Sequence, residues 1–339
     1  MSDQLLTVRG LNKTFGVGGG QLRALDAIDL DLRRGETLGL VGESGCGKST
    51  LARTLMMLER PDSGTVDFDG VDPFSLRGKE LLGFRRRVQM VFQDPYGSLN
   101  SRMNAGDIIS EPWRTHKSLY KSRRDRSARV HELLHLVGLR PSDEHRFPQE
   151  FSGGQRQRLG IARALALNPD VIICDEPVSA LDLSVQAQVL NLLNDLQKQL
   201  GISYVFISHD LSVVRHVADR VAVMYLGRIV ESGATEAVFD HPSHPYTAAL
   251  MSAAPKLDAA SRGDRILLKG EVPSPLNPPS GCRFRTRCWK ATDLCAAQAP
   301  PVARDRADAD LESGSTTVHM AECHYPLADK DLGLLAATP

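Results

Sequence analysis

The sequence predicts an α/β protein. A mostly parallel central sheet is expected, with an antiparallel β subdomain, an inserted helical subdomain and a cysteine-rich C-terminal extension. Three observations lead there. Short runs rich in Val and Ile alternate with stretches of helical periodicity, as strands buried on both faces of a parallel sheet do. Half-polar alternating runs lie near the N-terminus, separated by Gly and Asp turns. A glycine-rich loop ending in Gly-Lys-Ser joins an apolar run to a helical one.

The elements follow in order. "LLTVRG", "IDLDL" and "GTVDFDG" alternate apolar and polar residues and read as half-exposed antiparallel strands. "TLGLVG" is an uninterrupted apolar run that suits a buried central strand. "RVQMVF", "DVIICD", "SYVFIS" and "RVAVMY" are later runs of the same kind, alternating with helical stretches such as Val185–Leu200. Residues from about 100 to 160 offer no strand. Their "RVHELLHLVGL" and "QRQRLGIARALAL" place apolar residues at helical spacing, so a helical subdomain is expected. Past Pro242 the chain turns rich in Pro, Ser and Gly, as in "GEVPSPLNPPSG", and loses periodicity. The expected division is 1–241 for the core and 242–339 for an appendage held by short contacts and a metal.

Composition narrows the function. Apolar residues make up 42% and charged residues 24%, ordinary for a globular protein. Lys and Arg number 41 and so do Asp and Glu, which argues against a chain built to grip nucleic acid. The basic runs Arg85–Arg87 and Lys121–Arg129 read as solvated helix faces. "MSDQLLTVRG" lacks a signal peptide's basic and apolar regions, and no apolar stretch reaches membrane-spanning length. The expectation is a cytosolic chain whose clustered thiols bind metal rather than form disulfides.

The chemistry begins at "GLVGESGCGKST". Gly42, Gly47, Lys48 and Ser49 spell the triphosphate loop, in the strand-to-helix context it requires. Backbone N–H groups of Gly42, Ser44, Gly45, Cys46, Gly47 and Thr50 would curl around a phosphate. The helix behind them adds its positive end. Lys48 would reach the β- and γ-phosphates and Ser49 would ligate Mg²⁺. The G-x-x-x-x-G-K spacing excludes a dinucleotide loop.

"VIICDEP" ends a buried strand in Asp175 and Glu176, where α/β sheets bind ligands. Asp175 is placed to hold Mg²⁺ and Glu176 to polarise the attacking water. Gln93 in "VFQDP" and His209 in "FISHD" end two more predicted strands and can contact the γ-phosphate. "FSGGQRQRLGIARALALNP" opens a helix with Ser152, Gly153, Gly154 and Gln155, a second anion-binding turn. One nucleotide needs one such turn, so this one suits a nucleotide held by another copy.

Together these motifs resemble the ATP-binding cassette family, over about residues 1–240. The order matches: phosphate loop, Gln93, Ser152–Gln155, the acidic strand, Ser179-Ala180-Leu181-Asp182, His209. Phe151 stands where the family more often has Leu. The resemblance implies two cassettes packed head to tail around two ATP molecules, with Ser152, Gly153, Gly154 and Gln155 of one facing the phosphate loop of the other. It implies Glu176 as catalytic base, His209 as a transition-state switch and Asp182 in a loop that crosses the dimer. Phe15 in "LNKTFG" falls where the family stacks an aromatic on adenine; an exposed aromatic before a Gly-rich loop suits stacking, with core packing the alternative.

"VFQDPYGSLNSRM", "HPSHPYTAALMSAAP" and "GEVPSPLNPPSGCRFRTRC" resemble the ATP-binding subunits of oligopeptide and dipeptide importers, a group that includes nickel systems. This likeness runs to about Tyr325. It implies an ATPase at the cytoplasmic face of the membrane, partnered by a second cassette, two permease subunits and an extracytoplasmic binding protein. The groove near Tyr96–Met103 would seat a permease helix. Nucleic-acid-directed cassettes usually carry two cassettes or long basic insertions, and neither is seen here.

The thiols Cys282, Cys288, Cys295 and Cys323 follow C-x5-C-x6-C-x27-C. Zinc ribbons use C-x2-C knuckles, and this stretch has none. Four irregularly spaced thiolates suit a 4Fe–4S cluster. Zinc with help from His319 or His324, or a set of free thiols, are the alternatives. Importer ATPases of this kind carry such cysteines, and for some a cluster is implied.

Overall fold

The computed structural model describes residues 3–94, 96–253, 266–304 and 318–328. β1 (Gln4–Val17) and β2 (Gly20–Arg33) form a long hairpin. β3 (Thr37–Val41) is buried along its whole length and feeds α1 (Lys48–Leu55). β4 (Ser63–Phe68) pairs antiparallel with β1, giving a three-stranded sheet in the order β2-β1-β4. Its strands are the three alternating runs expected to be antiparallel.

α2 (Gly78–Arg87) leads into β5 (Val88–Val91). The helical subdomain follows as α3 (Ala105–Ser110), α4 (Arg123–Leu136) and α5 (Gly153–Leu165). Trp113 anchors it: the indole is buried and its N–H donates to the Ala166 carbonyl at 2.9 Å. The chain then runs through β6 (Val171–Asp175), α6 (Leu183–Leu200), β7 (Ser203–Ser208), α7 (Leu211–Val217), β8 (Arg220–Tyr225) and β9 (Arg228–Ala234). After it come α8 (Thr235–Asp240), α9 (Pro245–Ala253), α10 (Asp293–Ala297), β10 (Val302–Arg304) and β11 (Met320–Glu322).

The large sheet has the order β10-β11-β9-β8-β3-β7-β6-β5. Five strands, β8 to β5 in that order, are parallel; β9, β11 and β10 continue it antiparallel. Strand period two splits the core between the sheet's faces. Ile172, Cys174, Tyr204 and Phe206 face the cluster shared with the helical subdomain. Val171, Ile173, Val205 and Ile207 face the cluster shared with α1 and the small sheet.

Two expectations need revision. The Arg85–Arg87 run is not simply a solvated face. Arg87 pairs with Asp69 and Asp170, and Arg86 donates to the Leu167 carbonyl. The C-terminal region is also more than an appendage. β11 joins the cassette sheet, Met320 opposite Ser232 and Ala321 opposite Glu231. Tyr246 of α9 is fully buried and packs at a tilt against Tyr225 and Phe284. Strands of three residues show no readable period, so the sequence pattern concealed this joining.

Candidate active site

The phosphate loop runs from the end of β3 to the start of α1. Gly42 and Gly47 have φ of 153° and 111°. A Cβ at Gly42 would lie 2.1 Å from the Met224 carbonyl oxygen, and one at Gly47 2.4 Å from that of Ala24. Both close approaches demand glycine. Lys48 is buried, and its ammonium donates to the carbonyls of Gly42 (2.7 Å) and Glu43 (3.0 Å). Cys46 packs under the loop, where burial raises its thiol pKa.

A cavity of about 600 Å³ opens over this loop, within the range for a small-molecule site. Ser44 to Thr50 form its floor, and Gln93, Glu176 and His209 form one wall. Leu22, Arg23, Ala24, Leu226, Gly227 and Pro275 form the other.

Asp175 ends β6 and, unlike the adjacent Glu176, does not line the cavity. Burial and the neighbouring Glu176 raise its pKa, while the Ser49 hydroxyl and Lys48 partly offset them. A carboxylate so placed, hydrogen-bonded to a hydroxyl, is a ready divalent-cation site. Glu176 has a left-handed φ of 47°, a strained conformation for this residue. Its N–H is held by the Ile207 carbonyl at 2.9 Å. Its carboxylate accepts from Gln93 Nε2 at 2.8 Å and meets His209 Nδ1 at 3.1 Å. Two residues that follow β5 and β7 thus converge on the carboxylate that follows β6.

The signature turn lies elsewhere. Ser152 caps α5: its hydroxyl accepts the Gln155 N–H at 3.3 Å, and Gln155 Oε1 accepts the Ser152 N–H at 3.0 Å. Gly154 lets α5 meet α6, since a Cβ there would sit 2.3 Å from Val185 Cγ1. Asp182 caps α6 by accepting the Val185 N–H at 2.9 Å, and that bond holds its carboxyl below the usual range. None of Ser152, Gly153, Gly154, Gln155 and Asp182 lines the cavity. Phe15 does not line it either: it sits on β1 opposite Leu22, with Lys13 Nζ 5.1 Å from its ring centre.

Comparison with known proteins agrees with this arrangement. Residues 25–179 match the ABC transporter family, and residues 230–295 match the oligopeptide/dipeptide transporter C-terminal region. The dipeptide transport ATP-binding protein DppF of Haemophilus influenzae is 53% identical over 303 residues, 87% of this chain and 92% of that protein. The chain belongs to the ABC transporter family. The oligopeptide transport ATP-binding protein AppF of Bacillus subtilis is 50% identical over 308 residues, 88% of this chain and 93% of that protein. Among solved structures, the cassette MJ0796 in a dimeric post-hydrolysis state bound to ADP and Pi superposes with a TM-score of 0.62. It is 30% identical and covers 68% of this chain and 99% of its own.

The four cysteines of the expected cluster lie beyond the cassette motifs. Cys282, Cys288, Cys295 and Cys323 do line one small cavity, together with His324 and Tyr325. Among the described residues, however, no group of three or more His, Cys, Asp or Glu is disposed to hold a metal ion. Burial raises three of the thiol pKa values, with Cys288 pushed to about 11 and Cys323 to about 12. Cys323 accepts the Tyr325 N–H at 3.4 Å. His319 is turned away onto Glu231, at 2.7 Å.

The sequence reading also missed residues. Glu43, Tyr246, Pro275 and Arg287 all touch the phosphate loop or its cavity. No spacing rule links positions so far apart. The one available signal was the charge on Glu43, an acid inside an anion cradle.

Proposed function

We propose that this chain is the ATP-hydrolysing subunit that powers import of di- and oligopeptides, or related solutes, through a membrane permease. The observation that carries this reading is the gathering of Lys48, Ser49, Gln93, Glu176 and His209 on one cavity, with the Ser152–Gln155 turn left outside it. In this reading the triphosphate follows Gly42–Thr50, and the adenine lies toward Leu22–Ala24, beside Phe15. Ser49, Gln93 and Asp175 would hold Mg²⁺, which when bound would offset negative charge on the phosphates. Glu176 accepts the proton of the attacking water, its carboxylate aimed by Gln93 and His209.

Ser152, Gly153, Gly154, Gln155 and Asp182 serve a second cassette's nucleotide. A cap with its N–H groups at a helix start fits a γ-phosphate presented across an interface. ATP closes the sandwich, and hydrolysis releases it. The Tyr96–Met103 segment, with Tyr96 exposed, suits contact with a permease at the cytoplasmic face of the membrane. No described helix is long and apolar enough to cross a membrane, so the permease subunits would supply the spans. An extracytoplasmic binding protein would deliver cargo. Peptide cargo is supported by the two relatives, ATP-binding proteins of dipeptide and oligopeptide transport, and by the C-terminal match.

The donor set of the four cysteines suits a 4Fe–4S cluster, or Zn²⁺ as the alternative. A metal would deprotonate thiols that burial keeps neutral. Anaerobic purification with metal analysis and a visible spectrum tests this. Iron with a cluster spectrum supports the first; a colourless zinc protein rejects it; a metal-free protein rejects both.

Uptake of labelled di- and oligopeptides tests the function. Cells lacking the subunit should lose uptake and regain it with the wild-type gene. Uptake that persists without the subunit refutes the assignment.

A further inference from the structure

The C-terminal extension reaches the phosphate loop at Glu43, through Arg287 and Tyr246. Arg287 lies between Cys282 and Cys288, in a region without catalytic motifs. Its guanidinium grips the Glu43 carboxylate with both prongs, Nη1 to Oε2 at 2.8 Å and Nη2 to Oε1 at 3.0 Å. The Arg287 side chain is 8% exposed and that of Glu43 26%. A second contact holds the same residue by its backbone: the Glu43 N–H donates to Tyr246 Oη at 2.9 Å. Phe284 packs on Tyr246 with ring centres 5.4 Å apart, which fixes the segment carrying Arg287. Arg283 adds bonds to the Leu226 carbonyl and to Asp26.

Glu43 occupies an awkward position. It follows Gly42 directly, in a loop whose backbone is shaped to receive a polyanion. A carboxylate there repels a triphosphate unless a cation offsets it, and partial burial limits screening by water. The Lys48 ammonium is directed at the Gly42 and Glu43 carbonyls rather than at this carboxylate. Arg287 faces it with the planar fork that matches a carboxylate.

We propose that Arg287 is a positioning residue for nucleotide binding. By neutralising and fixing Glu43, it lets the C-terminal extension set the affinity of the phosphate loop. This rests on the reading of Gly42–Thr50 as the ATP site. A loop already held in its binding shape loses less freedom when the ligand arrives.

The test is ATP affinity of the full chain by calorimetry, with KM and kcat alongside. Arg287→Met should raise Kd and KM for ATP by about tenfold, since it leaves a charge-assisted pair broken and the acid uncompensated. kcat should change by less than about twofold, because Glu176 is untouched. Adding Glu43→Gln to Arg287→Met should recover affinity severalfold, because the uncompensated charge is gone. A pair that merely staples the extension gives no such recovery. Arg287→Lys keeps the charge and loses the fork; it covers the case in which Arg287→Met does not fold. Its Kd should rise about threefold.

An Arg287→Met Kd within about twofold of wild type overturns the proposal, as does a double variant as weak as Arg287→Met. An unchanged Kd in Arg287→Lys also overturns it. A wild-type chain that binds no ATP, or a Lys48→Ala variant that binds as well as wild type, instead sinks the underlying site assignment.

Discussion

Glu231 should be the residue whose loss most weakens the join between the C-terminal region and the cassette sheet. It lies on β9, is 1% exposed, and accepts from three donors. These are the Ser243 N–H at 2.6 Å, the His244 N–H at 2.9 Å and the His319 imidazole at 2.7 Å. All three donor residues are buried. Glu231→Ala leaves those groups without this acceptor, at about 1–3 kcal/mol each. Removing a buried carboxylate returns part of that, so the net loss should be about 3 kcal/mol, at the lower end for breaking a buried pair. In urea, with a slope of about 3 kcal/mol per molar, the midpoint should fall by about 1 M. Trp289 lies in the extension and Trp113 in the helical subdomain, so a Trp113→Phe background lets fluorescence follow the extension alone. Glu231→Gln keeps an acceptor oxygen and should lose about half as much. A fall below about 0.2 M in Glu231→Ala would show that the three donors find other partners and that this carboxylate does not hold the join.

Two further outcomes follow from the same geometry. Glu176→Gln should lower phosphate release by at least about 100-fold while ATP affinity stays near wild type, because it removes the base and leaves the phosphate loop intact; wild-type turnover would refute the role. His244 is buried, its pKa is pushed down to about 3 by that burial, and its Nδ1 accepts the Tyr246 N–H at 3.0 Å. The unfolded imidazole titrates near 6.5, so between the two values the unfolded state binds more protons. This share of stability is present above about pH 6.5 and is lost as pH falls toward 3. At pH 5 the loss should be about 2 kcal/mol, and urea midpoints of wild type and His244→Asn should converge there; parallel pH profiles would refute it.

Much of the site was legible because it is built from local backbone chemistry. Gly42 and Gly47 are demanded by positive φ and by carbonyls 2.1 and 2.4 Å from any added Cβ. Such a demand leaves its mark on the residues themselves. Asp175 and Glu176 were findable because a buried run must end where its strand meets the cavity. Gln93 and His209 were singled out through the family resemblance and the company of the other motifs, and their meeting on Glu176 depends on the register of β5, β6 and β7. The cysteines show the opposite limit: their irregular spacing suggested a metal but could not show that all four line one small cavity.

By itself the sequence determined the sheet's five parallel strands, the helical insertion, the phosphate loop and the acidic strand end. These depend on periodicity and on residue types that a short segment imposes. Tertiary structure alone decided that β11 extends the cassette sheet, that Glu231 collects three donors, and that Arg287 grips Glu43. Such contacts join positions as many as 244 residues apart. Their energy comes from burial and pairing between side chains that meet only once the chain has closed on itself, and no local pattern carries that information.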